Sequence, residues 1–264
     1  MNGEIVSVQN PRVKSWAGLL EKKGRNEQHR YLLEGVHLVK EALLADVPLE
    51  TLLYSLERGI PAELTPWKDD RRWIAVSEPV LAKCCSTKTP QAVVAVAHMV
   101  EPVADSLLSA PWVLVADGVQ DPGNIGTMIR SAAAVGVDAV ILGPGCADLY
   151  APKTVRATMG ALFQVPVLQL TKTSELVHLL QQVRSSGTQV LVAALEGGAT
   201  MYDVDWRERS WLVVGNEGSG VSPEIVAVAS QNVYIPMSGQ TESLNVAMAA
   251  TVLLYEAYRQ RRSL

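Results

Sequence analysis

Only three cysteines occur in 264 residues, Cys84, Cys85 and Cys146. Two of them are adjacent, which suits no metal-ligand spacing, and an odd total without a pairing pattern excludes a disulfide framework. The expectation is reduced, structural thiols and no metal. No basic start followed by an apolar run opens the chain, so no secretory signal is expected. Nor does any apolar run reach the roughly 20 residues that span a bilayer. The most apolar segment, residues 246–255, is far too short. Charge is scarce as well: 19% of residues are charged and the formal net charge is −4. A uniformly basic nucleic-acid binder is excluded, so any such contact must come from local patches. These absences point to a cytoplasmic protein that does not enter a membrane.

What is present is enough apolar material, 48% of the chain, for a sizeable core divided over two domains. Local basic patches do occur. Arg12, Lys14, Lys22, Lys23, Arg25 and Arg30 stand against Glu4, Glu21 and Glu27, and Arg259, Arg261 and Arg262 lie near the C-terminus. Both a polyanion contact and a solvated helix face fit that pattern.

Apolar spacing predicts helices over residues 11–23 and 34–45 and strands over 49–54, 73–76 and 92–97. Together they make a small α/β domain over 1–97. Residues 98–110, polar and aperiodic, read as a linker. From 111 to 264 the texture changes to strand–helix alternation. Strands are predicted over 112–116, 139–142, 190–195, 211–214 and 233–235, and helices over 126–135, 151–159, 174–185 and 223–229. The strands are continuous apolar runs, as expected where both faces of a parallel sheet are covered. Ligands on such open sheets bind at the carboxyl ends of the strands. A last helix, from about 244 to 259, starts with three turns that are apolar nearly all round. It is therefore expected to be buried on most sides, by the sheet or by a subunit interface.

Three loops that follow strands carry polar residues beyond what a turn requires. In the first, residues 117–126, Asn124 can cap a helix whose second turn carries Arg130. Gly215-Asn-Glu-Gly-Ser-Gly220 is a glycine turn that encloses Asn216 and Glu217. Its spacing matches neither the dinucleotide-binding G-x-G-x-x-G nor a P-loop, which disfavours a nicotinamide cofactor or ATP. The third loop, residues 235–246, leads into the apolar helix, with Ser243 at the expected N-cap and Asn245 in the first turn. A polar amide there needs a partner, since an unmet one costs roughly 1–3 kcal/mol.

Asn124-x-Gly126-x-x-x-Arg130, then Gly215-Asn-Glu-Gly218-x-Gly220, then Ile235-Pro-Met with Ser243-Leu-Asn-Val246, together resemble the three motifs of the SpoU (TrmH-type) RNA 2′-O-methyltransferases. More weakly, residues 33–42 are similar to the substrate-binding domain that precedes the catalytic domain in many members. The resemblance implies a SPOUT α/β fold with a deep C-terminal trefoil knot, behind a small α/β RNA-binding domain. It implies S-adenosylmethionine as cofactor, contacted by Gly215, Ile235 and Leu244, with Leu195, Gly197, Asn216, Gly218 and Met237 beside it. Arg130, Asn124, Glu217, Ser243 and Asn245 are the implied catalytic residues. A homodimer formed through the C-terminal domain and an RNA substrate follow, with 23S ribosomal RNA favoured over transfer RNA. A catalytically silent RNA-binding scaffold is disfavoured, because such a protein would not need to keep both Arg130 and the 215–220 turn.

Overall fold

Strands separate into two sheets in the computed structural model, which describes residues 4–87, 89–239 and 243–262. The chain divides into one unit of Met1–Val100 with Asp148–Phe163 and a second of Glu101–Ala147 with Gln164–Leu264. The first unit contains α1 (Pro11–Gly18), α2 (Lys22–Gln28), β1 (Arg30–Glu34), α3 (Val36–Leu44), β2 (Leu49–Ser55), β3 (Trp73–Val76), α4 (Glu78–Lys83) and β4 (Val93–His98). Its sheet runs β1-β4-β2-β3, with β4 antiparallel to both neighbours and β2 parallel to β3.

The single helix predicted over 11–23 is two helices. After α1 the Arg25 guanidinium donates to the carbonyls of Leu19 and Leu20, at 2.9 and 2.8 Å, and so caps the broken turn. Its other arm reaches Asp148 at 2.7 Å. Arg25 is 3% exposed, so it is a structural cation and does not belong to the surface patch. Arg30 is likewise engaged, paired with Glu50. The returning segment packs inside this unit: Tyr150 lies tilted against Tyr31 with ring centroids 4.6 Å apart, and Arg156 lies 3.3 Å from buried Glu34. Cys84 and Cys85 are free and buried, and burial pushes both thiols up to about 12, which keeps them unreactive.

The second unit begins with α5 (Ala104–Leu107), a short helix inside the predicted linker, followed by β5 (Trp112–Ala116), α6 (Pro122–Val135) and β6 (Ala139–Leu142). After α7 (Pro152–Thr158), which belongs to the first unit, come β7 (Val167–Gln169), α8 (Thr173–Ser185), β8 (Gln189–Ala193), β9 (Ala199–Thr200), β10 (Ser210–Val214), α9 (Pro223–Val226), β11 (Gln231–Tyr234) and α10 (Val246–Arg262). Its seven strands pair only in parallel, in the order β7-β6-β5-β10-β8-β11-β9. Val113, Val115, Ile141, Val192 and Val213 form one buried face against Leu176, Leu180 and Val183 of α8. The intervening Leu114, Val140, Leu191 and Leu212 are equally buried on the other face, which is why these strands carry no polar alternation. Because β10 lies between β5 and β8, the loops after β5 and β10 leave the sheet side by side. That position is the switch point at which open α/β sheets bind ligands.

The last helix departs from expectation. Val246, Ala247, Ala250, Leu253, Leu254 and Ala257 are buried, but Met248, Val252 and Tyr255 are 50%, 37% and 50% exposed. Within one chain only one stripe of α10 is covered, and an apolar stripe remains open. Among the described residues no helix is long and apolar enough to cross a membrane.

Candidate functional site

The loop after β5 is tied to the glycine turn at two points. Buried Asp117 accepts the Ser222 N–H on Oδ2 at 2.7 Å, and the Asn216 Nδ2 donates to the Gly118 carbonyl at 2.9 Å. The Asn216 Oδ1 in turn accepts the N–H groups of Gly218 and Ser219, at 2.9 and 3.1 Å. Asn216 and Gly220 close the turn with paired backbone bonds of 3.0 and 2.9 Å. The turn folds so tightly that a Cβ on Gly215 would lie 2.2 Å from the Gly220 carbonyl carbon and 2.3 Å from the Val221 nitrogen.

Asp117 is therefore a strut. Asp117→Ala leaves the Ser222 N–H without its acceptor, a loss of roughly 1–3 kcal/mol, and is expected to lower Tm by about 3–10 °C. Asp117→Asn keeps an acceptor oxygen and should retain most of the stability. Thermal unfolding of the two variants by circular dichroism checks this ordering.

A cavity of about 490 Å3 opens at the carboxyl ends of β8, β10 and β11. Its walls include Leu195 after β8, Gly215, Asn216 and Gly218 in the glycine turn, and Ile235 and Met237 after β11. Ser243, Leu244 and Val246 close it at the start of α10. Apolar side chains and glycine turns line it together with the polar side chains of Asn216, Glu217, Ser219, Asn232 and Ser243, a mixture suited to enclosing and orienting a small organic ligand.

Beside the cavity, three side chains from three loops form one hydrogen-bonded row. The Asn245 Nδ2 donates to the Asn124 Oδ1 at 3.1 Å, and the Asn124 Nδ2 donates to a Glu217 carboxylate oxygen. The polarity of the row is internally consistent. A carboxylate only accepts, so Asn124 must turn its amine to Glu217 and its carbonyl to Asn245. The Asn245 Oδ1 is then left to accept the N–H groups of Ala247 and Met248, at 3.0 and 3.3 Å. Asn245 is thus the N-cap of α10, and Ser243 lies before the helix. The cap of α6 also moves: Asp121 accepts the Asn124 N–H at 2.9 Å, which leaves the Asn124 side chain free for the row.

Of the catalytic residues the sequence proposes, Glu217 and Ser243 line the cavity, and Asn124 and Asn245 stand at its edge through the row. Arg130 is apart from it. It lies on the more accessible stripe of α6 with Thr127, Ser131 and Ala134, and makes no hydrogen bond or ion pair with the described residues. That stripe meets α10, where the Ser131 and Thr251 hydroxyls are 2.7 Å apart. Among the proposed cofactor residues, Gly197 does not line the cavity. It has a φ of +77° in a turn whose next glycine, Gly198, presses on β11: a Cβ there would be 2.3 Å from the Asn232 carbonyl oxygen. Residues 240–242 of the third loop lie outside the described residues. The sequence reading missed Asp117, whose only signal was an acidic residue directly after a buried strand. It also missed Asn232 in β11, a polar residue that lines the cavity. No group of three His, Cys, Asp or Glu side chains suited to a metal occurs among the described residues.

Comparison with known proteins gives consistent matches. The SpoU rRNA Methylase family matches residues 111–255, and the MRM3-like substrate binding domain matches residues 10–95. The chain is 40% identical over 252 residues to the 23S rRNA (guanosine(2553)-2′-O)-methyltransferase RlmP of Bacillus subtilis, covering 96% of this chain and 98% of the relative. It is 32% identical over 274 residues to a 23S rRNA (uridine(2479)-2′-O)-methyltransferase of Streptomyces viridochromogenes, covering 98% and 93%. The crystal structure of the SpoU methyltransferase AviRb from Streptomyces viridochromogenes, in complex with the cofactor AdoMet, superposes with a TM-score of 0.87. The identity is 31%, over 97% of this chain and 99% of that one.

Proposed function

Because the chain belongs to the SpoU rRNA methylase family, we propose that it methylates a ribose 2′-hydroxyl of 23S ribosomal RNA, with S-adenosylmethionine as methyl donor. The observation that carries this reading is the Asn245–Asn124–Glu217 row at the edge of the glycine-walled cavity. A row of this kind holds polar groups still where a sugar must be oriented, and positioning is most of what a methyl transfer asks of an enzyme.

The cavity fits the cofactor by its own chemistry. Gly215, Ile235 and Leu244 offer backbone groups, and Leu195 and Met237 offer apolar cover. Gly197 stands outside this group and shapes the neighbouring turn. When bound, the cofactor supplies a methyl group already activated by its sulfonium. The chain's task is then to place the hydroxyl and release its proton. Glu217, fixed by Asn124, lines the cavity with a carboxylate that accepts hydrogen bonds, and Ser243 contributes a hydroxyl to the lining. Arg130 is unpaired among the described residues, and its planar fork suits an RNA phosphate. That fixed fork argues for an anchoring role over that of base.

The same reading makes the protein a cytoplasmic homodimer. The open stripe of Met248, Val252 and Tyr255 on α10 supports it, because an exposed apolar row of this kind is a contact surface. A knotted C-terminal path is also part of this reading, supported by the family match over residues 111–255.

Calorimetry with S-adenosylmethionine tests the cofactor, with binding near micromolar expected. Transfer of labelled methyl to 23S ribosomal RNA, followed by ribose-methylation mapping, tests the substrate. Labelling of transfer RNA alone would overturn the ribosomal assignment, and no binding of the cofactor would overturn the enzyme.

A further inference from the structure

The polar side chains around the cavity differ in how much of their hydrogen-bonding capacity the protein uses. The Asn216 carboxamide is engaged at both ends: its amine donates to Gly118 and its carbonyl accepts two backbone N–H groups. Glu217 is held by Asn124. Asn232 is different. It lines the cavity from β11 and is partly buried, and its side chain makes no hydrogen bond with any described residue. In the β8–β11 register it pairs with Val192, which also lines the cavity, as does the adjacent Val233.

Its backbone is held firmly. Strand β11 runs between β8 and β9, and the Gly197–Gly198 turn is pressed so close to the Asn232 carbonyl that only glycine fits at 198. A carboxamide whose root is fixed, with donor and acceptor both unused by the protein and opening onto the cavity, is poorly explained by packing. Its polar atoms are not sealed from solvent, so they are open to a ligand that brings an adjacent acceptor and donor.

We propose that the Asn232 carboxamide is a specificity residue for the cofactor, pairing with the donor–acceptor edge of its adenine through the exocyclic amine and the neighbouring ring nitrogen. The inference rests on the S-adenosylmethionine reading above and goes beyond it, since none of the three motifs includes Asn232. A carboxamide matches an adenine edge in two parallel hydrogen bonds, the same complementarity that lets Asn read adenine in nucleic acids. Val192 and the other apolar lining residues suit the flat faces of the base.

The test is calorimetry on the full chain with S-adenosylhomocysteine and with its 6-deamino analogue, which lacks the exocyclic amine. Asn232→Leu keeps the side-chain volume and is expected to raise the Kd for S-adenosylhomocysteine about tenfold, the scale of one lost hydrogen-bonded pair. The 6-deamino analogue should bind the wild-type protein more weakly than the parent compound, and Asn232→Leu should lose that discrimination. Asn232→Asp, which accepts from the amine but repels the ring nitrogen, should also bind weakly. Thermal unfolding of each variant without ligand confirms that it is folded. Discrimination unchanged in a folded Asn232→Leu would overturn the role of Asn232 while leaving the cofactor assignment intact. Failure of the wild-type protein to bind S-adenosylhomocysteine would overturn both.

Discussion

Arg130→Ala is expected to cut methyl transfer by roughly 10²–10⁴-fold, the range over which single catalytic groups act, while cofactor affinity stays within about twofold. The two halves of this outcome have separate grounds. Arg130 does not line the cavity, so the cofactor has no contact to lose. It is exposed and unpaired among the described residues, so truncation should change stability by less than about 0.5 kcal/mol. What is lost is a guanidinium on the accessible stripe of α6, six residues after the Asn124 that anchors the polar row. Arg130→Lys discriminates between charge and shape. If the residue clamps a phosphate with two parallel bonds, lysine restores little of the rate, because a point charge does not reproduce the fork. Single-turnover kinetics at saturating cofactor, beside calorimetry, reads both parts. Turnover within a few-fold of wild type in Arg130→Ala would remove Arg130 from the site.

The second large effect is expected from the smallest change. Gly215→Ala introduces a methyl group 2.2 Å from one backbone atom and 2.3 Å from another. Neither belongs to a flexible side chain, so the 215–220 turn itself must open. Overpacking of this kind costs about 1–3 kcal/mol or more, which corresponds to a Tm lower by roughly 3–12 °C. The larger consequence is for binding, since Gly215, Asn216 and Gly218 are all cavity wall. Loss of cofactor affinity by about a hundredfold is expected, as for a displaced positioning element. Gly218→Ala is the control within the same turn. Its added carbon would meet only the Asn216 Oδ1, at 3.5 Å, an ordinary contact. Differential scanning fluorimetry with and without S-adenosylmethionine separates the two glycines, and similar behaviour of both would contradict the tight-crossing account.

These contrasts show where a sequence can be read and where it cannot. The strands 112–116 and 139–142 were legible to the residue, because burial on both faces leaves an uninterrupted apolar run. The glycine turn was legible as a turn, but not why Gly215 in particular must be glycine, since the atoms that crowd it lie across a fold of the chain. The break between α1 and α2 was hidden for a similar reason. Leu19 and Leu20 keep the helical apolar spacing, while Arg25, anchored by Asp148 far along the chain, and the close approach of Gly24 to the Gly18 carbonyl hold the turn there. The cap of α10 was misplaced by two residues because Ser and Asn are both good caps, and the bond from Asn245 to Asn124 decides between them. Short edge strands such as β7 and β9 offer too few residues for a period to show. As for α10, its apolar circumference was read correctly in composition, but one chain covers only one stripe of it.

The return of Asp148–Phe163 to the first unit has a consequence for how the protein is made. The chain passes from the first unit to the second after residue 100, back after 147 and out again after 163. On a ribosome adding about 5–20 residues per second, the N-terminal hundred residues wait roughly 3–13 s for the segment that completes their unit. Until then Arg25 has no Asp148, and Tyr31 has no Tyr150 to cover it. The first unit is therefore finished only after β5 and β6 of the second have been synthesised. A cut at residue 97 would not excise a module; it would strip the partners from a segment left behind.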